Sequence, residues 1–249
     1  MTALLEAKEV TKIYKKAGYP SLNKVSFRIA AGEFIGIMGA SGSGKTTLLN
    51  VLSTIDTPTN GDICINGVNL KRLNDTSAAD FRKDHLGFIF QEYFLLDSLT
   101  IRENISVPLT LQKLPPQKIE SMVKNLAERF GIASQLNKYP GELSGGQRQR
   151  ASAARAIVKQ PSILFADEPT GALDSSSATE LLNALWEANQ DLHTTILMVT
   201  HDAYAASFTN RILIFKDGTI IKELQRHDRN RKSFYESIAA EVAKLDTER

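Results

Sequence analysis

The chain has 249 residues, 42% apolar and 23% charged, which suits one large α/β domain or a core with a subdomain and argues against a disordered or fibrous protein. Its 30 Lys and Arg face 28 Asp and Glu, and a net charge of +2 is too small to advertise nucleic acid as a partner. The single Cys excludes an internal disulfide framework. No apolar run approaches the ~20 residues of a membrane-spanning helix. Glu6 and Glu9 stand where a signal peptide would be apolar, so the chain is expected to stay in the compartment where it is made.

Short β-rich runs at Val25–Ile29, Glu33–Met38, Ile63–Ile65 and Gly87–Phe90 are separated by Gly, Asn and Asp. A helix pattern opens at Lys45 and carries Leu48, Leu49 and Leu52 on one face. The middle of the chain is helical. After the Pro115-Pro116 break, Ile119, Met122, Val123, Leu126, Ala127 and Phe130 form an amphipathic stripe that stops at Gly131. A second helix is predicted from about Ser144 to Lys159, ended by Pro161. Alternation then resumes, with strands at Ser162–Ala166 and Thr194–Thr200 around a helix at Ser177–Gln190. Arg211–Phe215 and Thr219–Glu223 read as a hairpin turning at Asp217-Gly218. Strands alternating with helices predict a mostly parallel sheet covered by helices, with the helical middle as an insertion.

Gly39-Ala40-Ser41-Gly42-Ser43-Gly44-Lys45-Thr46 has the pattern GxxxxGK[ST], after a predicted strand and before a predicted helix. A polyphosphate needs backbone N–H donors wrapped around it, and side chains in the loop would block that approach. The helix start aims its positive end at the anion. Lys45 adds a mobile charge for the β- and γ-phosphates, and the Thr46 hydroxyl can ligate Mg²⁺. A glycine turn that merely opens a helix is the plainer alternative. The placement between strand and helix favours nucleotide binding.

Asp167 and Glu168 end a strand, and ligand chemistry in such sheets gathers at the carboxyl ends of strands. Asp167 suits Mg²⁺ through a coordinated water, and Glu168 suits orienting or deprotonating an attacking water. Adjacent acids at a strand end are common on surfaces; the cradle is what favours the catalytic roles. Gln91 and His201 also end strands, which places them for contact with the metal, the water or the γ-phosphate. For either residue alone, a solvated or capping role is the commoner one.

Leu143-Ser144-Gly145-Gly146-Gln147 decides the family. With the cradle and the acidic pair it makes the chain resemble the nucleotide-binding subunits of ABC (ATP-binding cassette) transporters from about residue 3 to residue 224. The resemblance implies a P-loop NTPase, RecA-like core with a mostly parallel sheet, an antiparallel β subdomain and an inserted α-helical subdomain. The core and β subdomain fall at 1–91 and 156–224, the helical signature subdomain at 92–155 and a helical tail at 225–249. It implies that Tyr14 stacks on adenine, although Tyr19 lies nearby, and that Gly39 to Thr47 hold the phosphates. Gln91 matches the loop that senses Mg²⁺ and the transmembrane partner, His201 the switch histidine, and Asp174 the loop linking two sites of a dimer. ATP and Mg²⁺ are the implied cofactors.

The signature also has a physical reading of its own. Ser144 and Gly145-Gly146 open a helix and form a second anion-binding N-terminus. One γ-phosphate cannot readily lie at two helix starts of one compact chain. The economical arrangement closes Ser144, Gly146 and Gln147 of one protomer on ATP held by another, in a head-to-tail dimer. Segments 38–56, 81–109 and 165–175 look closest to the MacB/LolD-like group, and within it to Bce-type antimicrobial-peptide resistance transporters. That resemblance implies a separate FtsX-like permease, two ATPase copies, often a sensor kinase, and a place on the cytoplasmic face of the membrane. A soluble ABC ATPase acting on DNA or ribosomes is the rival. DNA-maintenance members need a long coiled coil between the two halves of the fold, whereas only about fifty residues separate Gln91 from Leu143 here, and ribosome-acting members carry two cassettes in one chain where this chain has one.

Other residues have plainer expectations. Cys64 is expected as a packed thiol, Trp186 as core, and His85, His193 and His227 as no metal site. Ile238, Val242 and Leu245 predict a terminal helix packed on the core, favoured over lipid or partner contact by Arg226, Arg229, Arg231 and Lys232.

Overall fold

A computed structural model describes residues 3–15 and 18–247, with side chains to 244. The first strands are β1 (Ala3–Ile13), β2 (Pro20–Ala30) and β3 (Phe34–Met38), followed by helix α1 (Lys45–Leu52). Next come β4 (Asn60–Ile65), β5 (Val68–Asn69), α2 (Asp75–His85) and β6 (Leu86–Ile89). The middle holds α3 (Ile101–Leu111), α4 (Pro116–Arg129) and α5 (Gly145–Ile157). The last third runs β7 (Ile163–Asp167), α6 (Ser175–Leu192), β8 (Ile196–Thr200), α7 (Ala203–Ala206), β9 (Arg211–Lys216), β10 (Thr219–Gln225) and α8 (Arg231–Thr247).

Two sheets result. One is antiparallel, in the order β2-β1-β4-β5. The other runs β10-β9-β3-β8-β7-β6, parallel throughout except for the β9–β10 hairpin. The central strands β3, β7 and β8 are apolar along nearly their whole length, as strands covered on both faces must be. Leu48, Leu49 and Leu52 of α1 fill the space between the sheets, against Ile35, Ile37, Phe165 and Val199 on one side and Leu5, Val10, Leu22 and Ile29 on the other. Helices α3 to α6 cover the opposite face of the parallel sheet around Phe34, Ile89, Leu164 and Met198. The fold is α/β, with a mostly parallel mixed sheet and a separate antiparallel one.

Three elements carry little signal in the sequence. Strand β1 bends at Glu9, whose φ of 47° breaks the alternation of Leu5, Ala7 and Val10. Helix α2 buries only Phe81, so it has no apolar stripe to detect. Helix α3 contains Pro108, yet Thr100 and Glu103 cap it reciprocally and Ile101, Ile105 and Leu109 face inward. Fully buried Asn104 on α3 donates to the carbonyls of Leu96 (3.0 Å) and Leu99 (3.1 Å) and accepts from the Leu96 amide (2.8 Å), pinning the loop ahead of the helix.

The tail is packed. Phe234 and Ile238 are buried with Met38, Ala206, Ile212 and Ile214, and Val242 leans on the same cluster; the Leu245 side chain lies outside those described. The basic residues are engaged by aromatic faces: Arg226 sits 5.0 Å from the Trp186 ring, Arg229 5.3 Å from Phe234 and Arg231 4.3 Å from Phe208. Trp186 and Cys64 are half-buried rather than core. Phe234→Ala is expected to cost about 3 kcal/mol of stability, through lost burial and a residual cavity. Urea unfolding measures it, and a loss below about 0.5 kcal/mol, the scale of a neutral surface change, would detach the tail from the fold.

Candidate functional site

The carboxyl ends of β3, β8 and β7 lie side by side, and the loops leaving them build the site. Residues Gly39 to Ser43 and His201 line a cavity of about 480 Å³, with Met38, Ile214 to Asp217 and Val242 completing its wall. The loop after β3 is locked from behind. The Gly218 amide donates to the Ser43 carbonyl at 2.9 Å, and a Cβ on Gly39 would overlap the Phe215 carbonyl oxygen. Gly44 precedes α1 with φ at 105° and faces the Ser21 carbonyl, where a side chain has no room. The first amides of α1 therefore open toward the cradle with no side-chain cap.

Lys45 is 7% exposed, and its ammonium donates to the carbonyls of Gly39 (2.7 Å) and Ala40 (2.8 Å). Burial pulls its pKa down, while Glu168 and Asp167 hold it up. Thr46 is exposed beside it. Asp167 has a raised pKa, first because it is buried and second because Glu168 is adjacent; Lys45 and Thr46 oppose the shift. Its Oδ1 is buried with no hydrogen-bond partner. A buried carboxylate oxygen left without a donor, next to a threonine hydroxyl, is a donor set that suits a hard divalent cation. Ser43 Oγ is likewise buried and unpartnered at the cradle floor.

Glu168 adopts φ of 46°, a left-handed conformation that costs a non-glycine residue about 1 kcal/mol. It is held there by its amide donating to Val199 O (2.9 Å) and its carbonyl accepting from the Gly171 amide (3.0 Å). The turn swings the carboxylate back toward β8, where Oε2 lies 2.9 Å from His201 Nδ1 and 3.4 Å from the His201 amide. A carboxylate oxygen at this distance is a partner for an Nδ1–H donor. The His201 side chain is 68% exposed and Glu168 only 19%.

The other residues singled out in the sequence fall into two groups. Tyr14 follows β1: its phenol donates to Asp56 at 2.9 Å and Lys12 Nζ lies 4.9 Å from its ring. The ring is 39% exposed, Tyr19 70%. Gln91 packs against Gly171 and lines a separate cleft with Tyr93, Phe94, Arg148 and Ala172. Ser144 caps α5: its Oγ accepts from the Gln147 amide at 3.3 Å, and Gln147 Oε1 accepts from the Ser144 amide at 3.0 Å. Asp174 caps α6 through the Ser177 amide at 2.9 Å. Gly145 faces the Tyr93 hydroxyl, and a Cβ on Gly146 would come within 2.5 Å of Ser177 Oγ. The starts of α5 and α6 therefore meet in one place, and none of Ser144 to Gln147 lines the cradle cavity.

Gln149 escaped the sequence reading. It is fully buried on α5, and its amide donates to the carbonyls of Phe90 (2.9 Å) and Pro169 (2.8 Å). One side chain thereby fixes the signature helix to the residue before Gln91 and the residue after Glu168. Arg155 adds bonds to the Phe94 (2.6 Å) and Tyr93 (3.1 Å) carbonyls. Neither residue type nor spacing signals this in the sequence.

Comparison with known proteins agrees with this geometry. The family described as ABC transporter matches residues 22–171. The bacitracin export ATP-binding protein BceA of Halalkalibacterium halodurans is 52% identical over 238 residues, covering 95% of this chain and 94% of that protein. The ABC transporter ATP-binding protein YxdL of Bacillus subtilis is 50% identical, covering 96% of this chain and 93% of its own length. The dimeric post-hydrolysis structure of the ATP-binding cassette MJ0796, bound to ADP and Pi, superposes with a TM-score of 0.81 at 35% identity, covering 89% of this chain and 98% of that one. A phosphate cradle, an acidic pair and a signature helix on this fold, shared at such identity over nearly the whole chain, place it in the ABC transporter family as one of its ATP-hydrolysing, ATP-binding subunits.

Proposed function

We propose that this chain works as a head-to-tail homodimer at the cytoplasmic face of the membrane, where it drives a separate FtsX-like permease of antimicrobial-peptide resistance or of a related MacB/LolD-like process. The observation that carries the catalytic part is the Glu168–His201 pair at the lip of the cradle. The relative named for bacitracin export supports the peptide class. Among the described residues no helix is long and apolar enough to cross a membrane.

In this reading Gly39 to Thr47 wrap the phosphates of ATP and Tyr14 stands by the adenine. Mg²⁺, when bound, would be held by Thr46 and Asp167 and would offset charge on the β- and γ-phosphates, while Gln91 stands in its own cleft beside Gly171. Glu168 takes a proton from the attacking water as its oxygen bonds to the γ-phosphorus, and the bond to the β-phosphate oxygen breaks to release ADP and phosphate. His201, its Nδ1 fixed by Glu168, presents Nε2 to the γ-phosphate. Ser144, Gly145, Gly146 and Gln147 contribute from the second protomer, because none of them lines the cradle cavity of their own chain. Asp174 lies where the two sites meet. Hydrolysis leaves two charged products at that interface and weakens it, which makes opening and closing a ligand-biased equilibrium. A sensor kinase would be reached through the permease.

Glu168→Gln is expected to keep ATP affinity and to lower turnover by about 10² or more, the scale of a lost general base. It should accumulate an ATP-bound dimer in gel filtration; near-normal turnover would remove Glu168 from the role. Ser144→Arg should leave nucleotide binding to the isolated chain intact and abolish ATP-driven dimerisation, and a variant that still pairs with ATP would defeat the shared-site arrangement. Affinity-tagged chain extracted from its native membranes with detergent should carry one polytopic permease, identified by mass spectrometry. Recovery with nucleic acid or ribosomes in place of a permease would overturn the transport role.

A further inference from the structure

His201 is followed by Asp202, which caps α7 by accepting from the Tyr204 amide at 2.8 Å. Tyr204 of this short helix carries a hydroxyl that reaches α6. Its hydroxyl lies 3.0 Å from Thr179 Oγ1 on α6. The Thr179 hydroxyl already gives its single proton to the Ser175 carbonyl at 2.8 Å, so the tyrosine must be the donor. The ring is clamped as well: Phe208 meets it edge-on at 5.5 Å, and the Arg231 guanidinium of α8 stands 5.3 Å from it. The phenol is a half-buried group with a fixed direction and one partner.

Thr179 belongs to the opening turns of α6, the part of that helix that touches α5. Ser177 fills the space where Gly146 would carry a side chain, and Glu180 is ion-paired with Arg150 on α5. The His201 loop, the start of α6 and the start of α5 are thus joined by three side-chain contacts with no flexible loop between them. Cores and helix contacts of this density shift as units rather than deform.

We propose that Tyr204 is a positioning residue that couples the His201 side of one ATP site to the signature helix that the same chain offers to the other. The hydrogen bond to Thr179 transmits the displacement of α7, and the Ser177–Gly146 and Glu180–Arg150 contacts carry it to Ser144–Gln147. This rests on the shared-site homodimer proposed above, since within a single chain the two halves would have no common nucleotide.

The test is steady-state ATP hydrolysis by the full-length chain carrying Tyr204→Phe, Thr179→Val or both, with ATP as the varied ligand. Losing one net hydrogen bond from the closed state predicts about a five-fold fall in turnover. The Hill coefficient for ATP should drop toward one, while affinity for ATP in the isolated chain and the urea midpoint of Tyr204→Phe stay close to the unmodified values. The double variant should be no worse than the worse single one, because both changes delete one contact. Wild-type turnover and cooperativity in Tyr204→Phe would overturn the proposal, and so would losses that multiply in the double variant. A lowered urea midpoint with unchanged turnover would make the contact merely structural and overturn it equally. If the unmodified chain hydrolyses ATP without cooperativity or ATP-dependent pairing, the shared-site reading falls and this proposal with it; if the unmodified chain pairs and cooperates while Tyr204→Phe matches it, the role of Tyr204 alone falls.

Discussion

Parallel pairing of β3 with β8 and of β8 with β7 sets where every reacting group can stand. Met38 is in register with Thr200, and Asp167 with Val199, so three strands end within a residue of one another. The loops that follow, at Gly39, Glu168 and His201, must leave the sheet at the same level and on the same edge. An antiparallel neighbour would have sent one of them to the far end, some five residues of strand away, or about 16 Å. Parallel strands need long crossovers, and here α1, α6 and the helical middle provide them while covering both faces of the sheet.

That convergence gathers charge that the rest of the molecule tolerates because a polyphosphate compensates it. The cradle offers uncapped amides at the start of α1 and the buried ammonium of Lys45, both demanding an anion. A residue away, Asp167 and Glu168 repel each other, and Asp167 keeps an oxygen without a donor, demanding a cation. In the proposed reading, triphosphate with a divalent metal would answer both demands at once. The left-handed backbone at Glu168 belongs to the same arrangement. It turns consecutive carboxylates to different tasks, one toward Thr46 and one toward His201.

Residues whose chemistry is local were legible from the amino-acid order. The cradle, the acidic pair and the signature each combine rare residue types at short fixed spacing, and strands β3, β7 and β8 are continuous apolar runs. What stayed hidden depends on distant partners. Helix α2 is polar on nearly every side, and β1 loses its alternation at Glu9. Helix α3 carries a local signal, Thr100 with Glu103, but Pro108 within it is a residue type that usually ends a helix. Gln149 and Tyr204 are ordinary polar residues in sequence. Their weight comes from the carbonyls of Phe90 and Pro169 and from the Thr179 hydroxyl, which only the fold brings within reach.

The same logic separates what a single chain can complete from what it cannot. Ser144 and Gln147 satisfy each other across the first turn of α5, so that helix start is stable before any phosphate arrives. Gly146 is held against Ser177 by the absence of a side chain, which ties the signature to the turn that begins at Asp174. Gln149 then fastens α5 to both Phe90 and Pro169. A signature helix so anchored cannot swing onto its own cradle without breaking a fully buried amide's bonds, each broken bond leaving a desolvated group at a cost of about 1–3 kcal/mol. Movement of a second chain toward the cradle breaks none of them. In the proposed shared-site arrangement, the stiffness of this anchored helix would make pairing of two chains the low-energy way to bring cradle and signature together.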